Sequence, residues 1–498
     1  MNSEPGQADV APPLNAPPVS VFTKTVFGLG ASGEAITNVS FNTFVFFYYN
    51  QVLGLSGTLA GLAVTIALFS DAITDPLMGT ISDRFKSKLG RRHPFLFLTA
   101  VPLGVVFFLI FSPPKGLEGY ALFFWFCGFT VLLRTLLTLY AVPHLALGAE
   151  LSKDYHERST IMGYNNFFGF IGGASIYWIA LTWFFGPSEE FANGLLNSHA
   201  YPVFGTFAAF FISITILICA WFTRDKIPYL PQPPADQPPF GVVVVFKEIF
   251  SVVSNRNYLN LLLGFFLLAL MLGVHETLNL HMGTFFWELE PAQLRFYVLG
   301  SITGYVIGFT QTTRLHRRID KRNSIIFSVV GLAFFGALAV NLRLLGIFPT
   351  NSFAYLIVVL VFISVFSYAS GSILNISVMS ALADLADEHE LATGRRQEGL
   401  FYSARTFFAK STSAVGHLIG GVALDIIEFP AKAAPGEIAT ETIFELGLVY
   451  GPMAMVPGLA SMFFYGRYKI NRQRLAEIQK AIADRKAEAA LEAAKLEH

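Results

Sequence analysis

Long apolar stretches alternate along the chain with short polar ones. A helix needs ~20 mostly apolar residues to cross a bilayer. Twelve stretches reach that length, at about 25–50, 58–82, 94–112, 120–148, 160–186, 201–223, 257–287, 293–314, 324–346, 353–383, 398–427 and 441–465. They predict an all-α membrane protein of twelve transmembrane helices. The longest polar link, 224–256, contains Pro228-Tyr229-Leu230-Pro231-Gln232-Pro233-Pro234 and reads as a semi-rigid linker. It divides the spans six and six, so the expected organisation is two bundles, 25–223 and 257–466. Residues 1–24 are Pro-rich and polar, and are expected to be a disordered cytoplasmic tail. They show no basic segment followed by an apolar core, so no cleaved signal peptide is expected. Residues 467–498 are rich in Ala, Glu, Lys and Arg and read as a cytoplasmic helix, a solvated tail.

Composition agrees. The 498 residues are 53% hydrophobic and only 14% charged, where a soluble domain carries roughly a quarter charged residues. The net charge is zero, but its placement is uneven. Arg84, Lys86, Lys88, Arg91 and Arg92 follow span 2, and Arg314, Arg317, Arg318, Lys321 and Arg322 follow span 8. The opposite loops offer little beyond Lys115, Arg343 and Lys432. Lys and Arg concentrate on the cytoplasmic side, so both termini are expected there, in what is read as a bacterial inner membrane. Cys127 and Cys219 fall in apolar runs and read as small buried hydrophobes.

Charges inside the spans carry the chemistry. Asp71 and Asp75, one turn apart in span 2, lie on one helix face. A carboxylate at bilayer depth is costly and normally faces the protein interior or a watery cavity. Two on one face imply a cation, a proton or a basic side chain between or beside them. Span 1 carries Asn38 and Asn42 at i, i+4; span 5 opens with Tyr164-Asn165-Asn166; span 7 holds His275, Glu276, Asn279 and His281. Such residues more often make interhelical hydrogen bonds than bind a ligand. Glu276 is the exception that needs a partner, and His275 or His281 is a candidate. After span 2 comes Gly79-x-x-x-Asp83-Arg84, then Gly90-Arg91-Arg92-His93-Pro94. Gly79 would let helices pack closely, and Asp83 is within reach of Arg91 or Arg92. The spacing favours a latch that opens and closes the cytoplasmic side over charges that merely orient the chain. No phosphate loop, zinc-ligand spacing or nucleophile elbow is present, so neither enzyme activity nor a cofactor is expected.

These residues resemble a known family. The basic loop is similar to the signature loop of the major facilitator superfamily. Asp71-Ala-Ile-Thr-Asp75-Pro leading into it resembles the glycoside–pentoside–hexuronide:cation symporters, the family of the melibiose permease. So do Val142-Pro143-His144 through Glu150, Asp154 through Arg158, and Ala383-Asp384-Leu-Ala-Asp387 through Gly399 with Phe401-Tyr402-Ser403 and Lys410. The resemblance implies the major facilitator fold, two pseudo-symmetric six-helix bundles. It implies symport of a sugar- or glycoside-like solute, coupled to Na+ or H+, by alternating access. It places the cation at Asp71 and Asp75, with Thr138 as a neutral ligand and Lys410 as charge partner. No metal is implied beyond a possible Na+ there.

The matched residues Glu150, Arg158, Asp384, Asp387, Arg395 and Arg396 join Gly79, Asp83, Arg84, Arg91 and Arg92 as the expected cytoplasmic gate. The sequence departs from the family where sugar is held: Ala35, Ala141 and Asn166 stand where the family has two aspartates and an arginine. Solute contacts are therefore expected from Asn38, Asn42, His144, Asn166 and Glu276. An amphiphile such as a lysophospholipid is the alternative solute, since vertebrate relatives of this kind carry one; a sensor or scaffold without turnover is a third reading, disfavoured by the intact Asp71, Asp75 and Lys410. The expected partners are a small solute, a monovalent cation and the lipid bilayer, with no nucleic acid; a monomer is expected.

Overall fold

The computed structural model describes residues 18–231, 255–394 and 398–496. Most of the expected 224–256 linker lies outside these residues, as do 1–17, Arg395 and Arg396. The described chain is helical throughout, with no strand. Its long helices are α1 (Val21–Ser40, continued by π turns to Val52), α2 (Gly57–Arg84), α3 (His93–Phe111), α4 (Gly119–Glu150), α5 (Tyr155–Phe184) and α6 (Ala200–Thr223). They continue with α7 (Arg256–Phe286), α8 (Tyr297–Arg318), α9 (Lys321–Leu344), α10 (Leu356–Thr393), α11 (Glu398–Ile426), α12 (Thr440–Tyr465) and α13 (Arg472–Leu496).

Helix starts follow local chemistry. Ser20, Ser56, Asp154 and Asn255 each precede a helix and accept from a backbone N–H of its first turn. Gly394 closes α10 with φ 75°, a left-handed turn that suits glycine. Among the described residues nine helices are long and apolar enough to cross a membrane; α1, α8 and α11 carry too many polar residues to pass by composition alone. α1 begins at Val21, four residues before the expected boundary, because Ser20 caps it.

Two sets of six helices repeat one packing scheme. In the first, α1 packs on α5 and α6, α2 on α4, and α3 on α4 and α6. In the second, α7 packs on α11 and α12, α8 on α10, and α9 on α10 and α12. Adding six to each member of the first scheme gives the second. α1 and α7 even finish alike: Leu53 N–H bonds to Tyr48 O and Leu55 N–H to Tyr49 O, as Trp287 does to Met282 O and Leu289 to Gly283 O.

The halves meet along two seams, α2 against α11 and α5 against α8. The first seam is close. Asp425 of α11 accepts from the Gly57 and Thr58 N–H groups at 2.7 and 2.8 Å, so its carboxylate lies on the N-terminus of α2. A Cβ on Gly421 would come within 2.1 Å of the Gly57 carbonyl oxygen, and one on Gly61 within 2.9 Å of the His417 carbonyl oxygen. Only glycine fits these positions. Gly79, expected to serve close packing, does not: its nearest neighbour would be Val142 at 3.9 Å. Further links join the halves at the same end, away from the basic loops. Lys432 N–H bonds to Gln51 O at 2.9 Å, and His281 Nε2 lies 3.0 Å from Asn50 Oδ1.

Candidate functional site

Nearly three turns beyond Gly61, α2 carries Asp71 inward, and Asp75 follows one turn later. α4 brings Thr138 against them, and Lys410 reaches across the seam from α11. The Thr138 hydroxyl lies 2.6 Å from Asp71 Oδ1 and 2.8 Å from Asp75 Oδ1. The Lys410 ammonium donates to Asp71 Oδ2 at 2.7 Å and to Asp75 Oδ2 at 2.5 Å. Asp71 is 3% exposed, and Asp75 and Lys410 are half-buried. All four carboxylate oxygens thus have a partner. A threonine has one hydroxyl proton and can donate to only one of its two neighbours at a time. The other short oxygen–oxygen contact is one that an added cation or proton would relieve. Carboxylates and a hydroxyl are hard oxygen donors, the set that suits Na+ or Li+, and the Lys410 ammonium bridges the two carboxylates.

Two residues that sequence reasoning left aside join this group. Arg134, one turn before Thr138 on α4, places Nε 3.7 Å from Asp71 Oδ2 and donates from Nη1 to Asn38 Oδ1 at 2.8 Å. Glu34, one turn before Asn38 on α1, lies within electrostatic reach of Lys410, Asp75, Asp71 and Arg134. The signal was present in both cases. Arg134 is a charge inside span 4 at i−4 from Thr138, and Glu34, Asn38 and Asn42 share one face at i, i+4, i+8. α1 packs its other faces away: Ala31, Ser32 and Ala35 lie against glycines of α5, Gly33 against α6, and Gly30 against both α4 and α6.

The expected solute contacts divide. Asn38 faces the cation group through Arg134. Asn42 is half-buried and Asn166 exposed, and among the described residues neither side chain is hydrogen-bonded. His144 is the correction. It is 1% exposed, stacked on Phe27 at 4.4 Å, with Nε2 3.1 Å from Asn165 Oδ1 and Nδ1 3.3 Å from the Tyr140 hydroxyl. The face of α4 that carries it turns into the first half, and His144 packs there. Glu276 does face open space, its side chain 36% exposed, but its partner is His417 of α11 at 3.5 Å, not His275 or His281. His275 bonds to Tyr450 O at 2.9 Å, and His281 faces the other half. Along α5, Thr160, Gly163, Tyr164, Phe167 and Phe168 line a largely apolar groove of about 450 Å³.

The expected gate residues form two clusters, each within one half. In the first, Arg92 of the α2–α3 turn donates to Asp83 Oδ1 at 2.5 Å and to Glu150 Oε1 at 2.6 Å, and Arg91 donates to Glu150 Oε1 at 2.8 Å. α2, α3 and α4 are thereby tied together. Arg158 is not part of that cluster: its Nε donates to Ser152 O at 2.7 Å and holds the α4–α5 turn. Arg84 ends α2. In the second, Lys321 at the start of α9 donates to both oxygens of Asp384 at 2.7 Å. The tail expected to be solvated instead packs on α10. Ile478 and Ile482 are buried, Gln479 donates to Asp387 at 3.2 Å, and Lys486 pairs with Glu390 at 2.8 Å. Arg485 donates to Leu391 O at 3.2 Å and to Glu390 O at 2.8 Å, at the end of α10 where carbonyls run out of intrahelical partners.

Comparison with known proteins completes the picture. The chain is 23% identical over 93% of its length to a putative glycoside/cation symporter of Escherichia coli, covering 95% of that protein. It is also 23% identical over 93% of its length to the sodium-dependent lysophosphatidylcholine symporter 1 of Xenopus tropicalis, covering 90% of that protein. The crystal structure of a D-xylose–proton symporter overlays with a TM-score of 0.62 at 14% identity, covering 91% of this chain and 98% of the other, a likeness of fold. Residues 26–472 match the family described as MFS/sugar transport protein. The chain is an integral membrane protein with the major facilitator fold, and it belongs to that family, one of cation-coupled sugar and glycoside symporters.

Proposed function

We propose that this protein takes up a sugar- or glycoside-like solute together with one monovalent cation, Na+ or H+, by alternating access between its two halves. Transport, not catalysis, is its activity. The basic loops and both termini face the cytoplasm, and the membrane is a bacterial plasma membrane. Asp71, Asp75 and Thr138 form the cation site, and Lys410 is its resident counter-charge.

One observation carries the reading: an ammonium from the second half sits on both aspartates of the first. A cation that enters the pair exchanges with Lys410, so occupancy of the site and the bond between the halves are one equilibrium. A ligand shifts a two-state protein only through such differential contacts. Solute binds between the halves at mid-depth, where Asn38 and Asn42 of α1, Asn166 of α5 and Glu276 of α7 supply donors and acceptors. Asp83, Arg91, Arg92 and Glu150 hold the cytoplasmic ends of α2, α3 and α4 as one unit that moves against the unit held by Lys321 and Asp384. The groove along α5 supports a second reading, in which the solute is an amphiphile whose chain lies against Tyr164, Phe167 and Phe168.

Both readings are tested by uptake into proteoliposomes under an imposed Na+ or pH gradient, with methyl glycosides and lysophosphatidylcholine as solutes. Cation-driven accumulation of a glycoside, lost in Asp75→Asn, is the expected result. Accumulation of lysophosphatidylcholine alone moves the second reading ahead. Solute movement indifferent to every cation gradient sinks symport altogether.

A further inference from the structure

Arg134 does more than the transport reading asks of it. Its side chain is 8% exposed. Asn38 on α1 fixes one end of the guanidinium at 2.8 Å, and the Phe41 ring lies 5.3 Å from its centre. Its Nε has no hydrogen-bond partner and is 3.7 Å from Asp71 Oδ2. A buried donor left unmade is costly, and here it is aimed at one of the two carboxylates proposed to bind the coupling ion.

We propose that Arg134 sets ion selectivity: it shuts Na+ and Li+ out of the Asp71 and Asp75 pair. This rests on the assignment of that pair as the cation site. An alkali ion needs several hard oxygens at once, and every oxygen of the pair is already engaged. Lys410 can give way, because a lysine carries its charge on a flexible stem. Arg134 cannot, because a guanidinium keeps its charge, and this one is buried and tied to α1. An alkali ion on Asp71 would therefore face a fixed positive charge a few ångströms away, in surroundings that screen it poorly.

The other charged or titratable groups around this point do not undo the argument. Asp71 and Asp75 come from α2, Lys410 from α11, Tyr140 from α4 and Glu34 from α1. Glu34 is the only further acid among them. It forms no ion pair among the described residues, so it acts on the guanidinium from farther away than Asp71 does.

The test is thermal unfolding of the purified full chain in detergent, with NaCl against choline chloride at equal ionic strength. An ion that binds the folded state raises Tm. The wild-type protein is expected to show no Na+-specific rise. Arg134→Gln, or Arg134→Met if the amide variant is not monodisperse, is expected to gain one, with at least a tenfold gain in apparent Na+ affinity. Adding Asp75→Asn should remove the gain. A Na+-specific rise in the wild type that Asp75→Asn removes overturns the role of Arg134 and leaves the cation site standing. Absence of a Na+ response in the Arg134 variants also overturns it. A response that survives Asp75→Asn places the ion elsewhere and overturns the site assignment itself.

Discussion

The α2–α11 seam and the α5–α8 seam are related by the internal repeat, yet they are built from different chemistry. Along α2–α11 the contacts are polar and directional. The Asp425 carboxylate lies on the N-terminus of α2, Thr65 donates to Ala414 O at 2.7 Å, and Lys410 bridges two aspartates. Glycines bring the two backbones together between these points. Along α5–α8 the contacts gather at one end and are mostly aromatic. Arg295 lies over Trp178 at 5.0 Å and donates to Thr182 at 3.1 Å, Trp178 meets Phe296 edge-on, and the Tyr177 hydroxyl bonds to Leu294 O. The repeat has preserved which helices touch and has not copied what they exchange. A buried ion pair is strong only with its partner in place, so the first seam can be switched by an ion. Aromatic pairs hold by area and ring geometry rather than by net charge, so an ion has no direct hold on the second seam.

The comparison can be broken by mutation. Asp71→Asn should have the largest effect. It leaves Lys410 and Arg134 with one buried counter-charge fewer, and unpairing a buried charge costs about 3–5 kcal/mol. Cation-driven uptake should fall by about 100-fold or more, since each 1.4 kcal/mol is tenfold, while the protein still inserts. Full cation-dependent accumulation by this variant in proteoliposomes would contradict the proposed site. Gly421→Val comes next. Its Cβ collides with the Gly57 carbonyl, overpacking costs about 1–3 kcal/mol, and Tm should fall with it.

Asp425→Ala removes a carboxylate from a helix N-terminus, worth about 1–2 kcal/mol. It should also expose that end of the seam: a cysteine at Thr58 should react faster with a membrane-impermeant maleimide, and an unchanged rate would rule out the clasp. Arg295→Ala on the second seam should do least. Arg295 is half-buried, where a cation over an aromatic ring is worth about 0.5–2 kcal/mol, but it touches neither aspartate, so uptake should fall far less than in Asp71→Asn. If Arg295→Ala impairs uptake as severely as Asp71→Asn, the two seams are not different in kind.

Some of this was legible because its cause is local. Apolar length gives the membrane crossing, and nine of the described helices are long and apolar enough for it. The 3.6-residue period puts Asp71 and Asp75 on one face without any knowledge of neighbours. The Glu34, Asn38 and Asn42 stripe obeyed the same period, but only Asn38 and Asn42 were read from it. Thr138 and Lys410 came from resemblance; no local rule links a lysine to aspartates 335 and 339 residues away.

The amino-acid sequence by itself determined that the chain crosses a membrane as a set of helices, that the set divides in two, and that acids sit at bilayer depth. Hydrophobic length and helical period act within one helix, so they can be read one helix at a time. Tertiary structure alone decided who meets whom. It turned His144 into packing, gave Glu276 to His417, moved the close glycine contact from Gly79 to Gly57 and Gly421, and laid the tail along α10. It also brought Arg134 to Asp71. Each of these depends on which face of a helix turns toward which neighbour. That is settled by how all the helices share one buried volume, a property no single span contains.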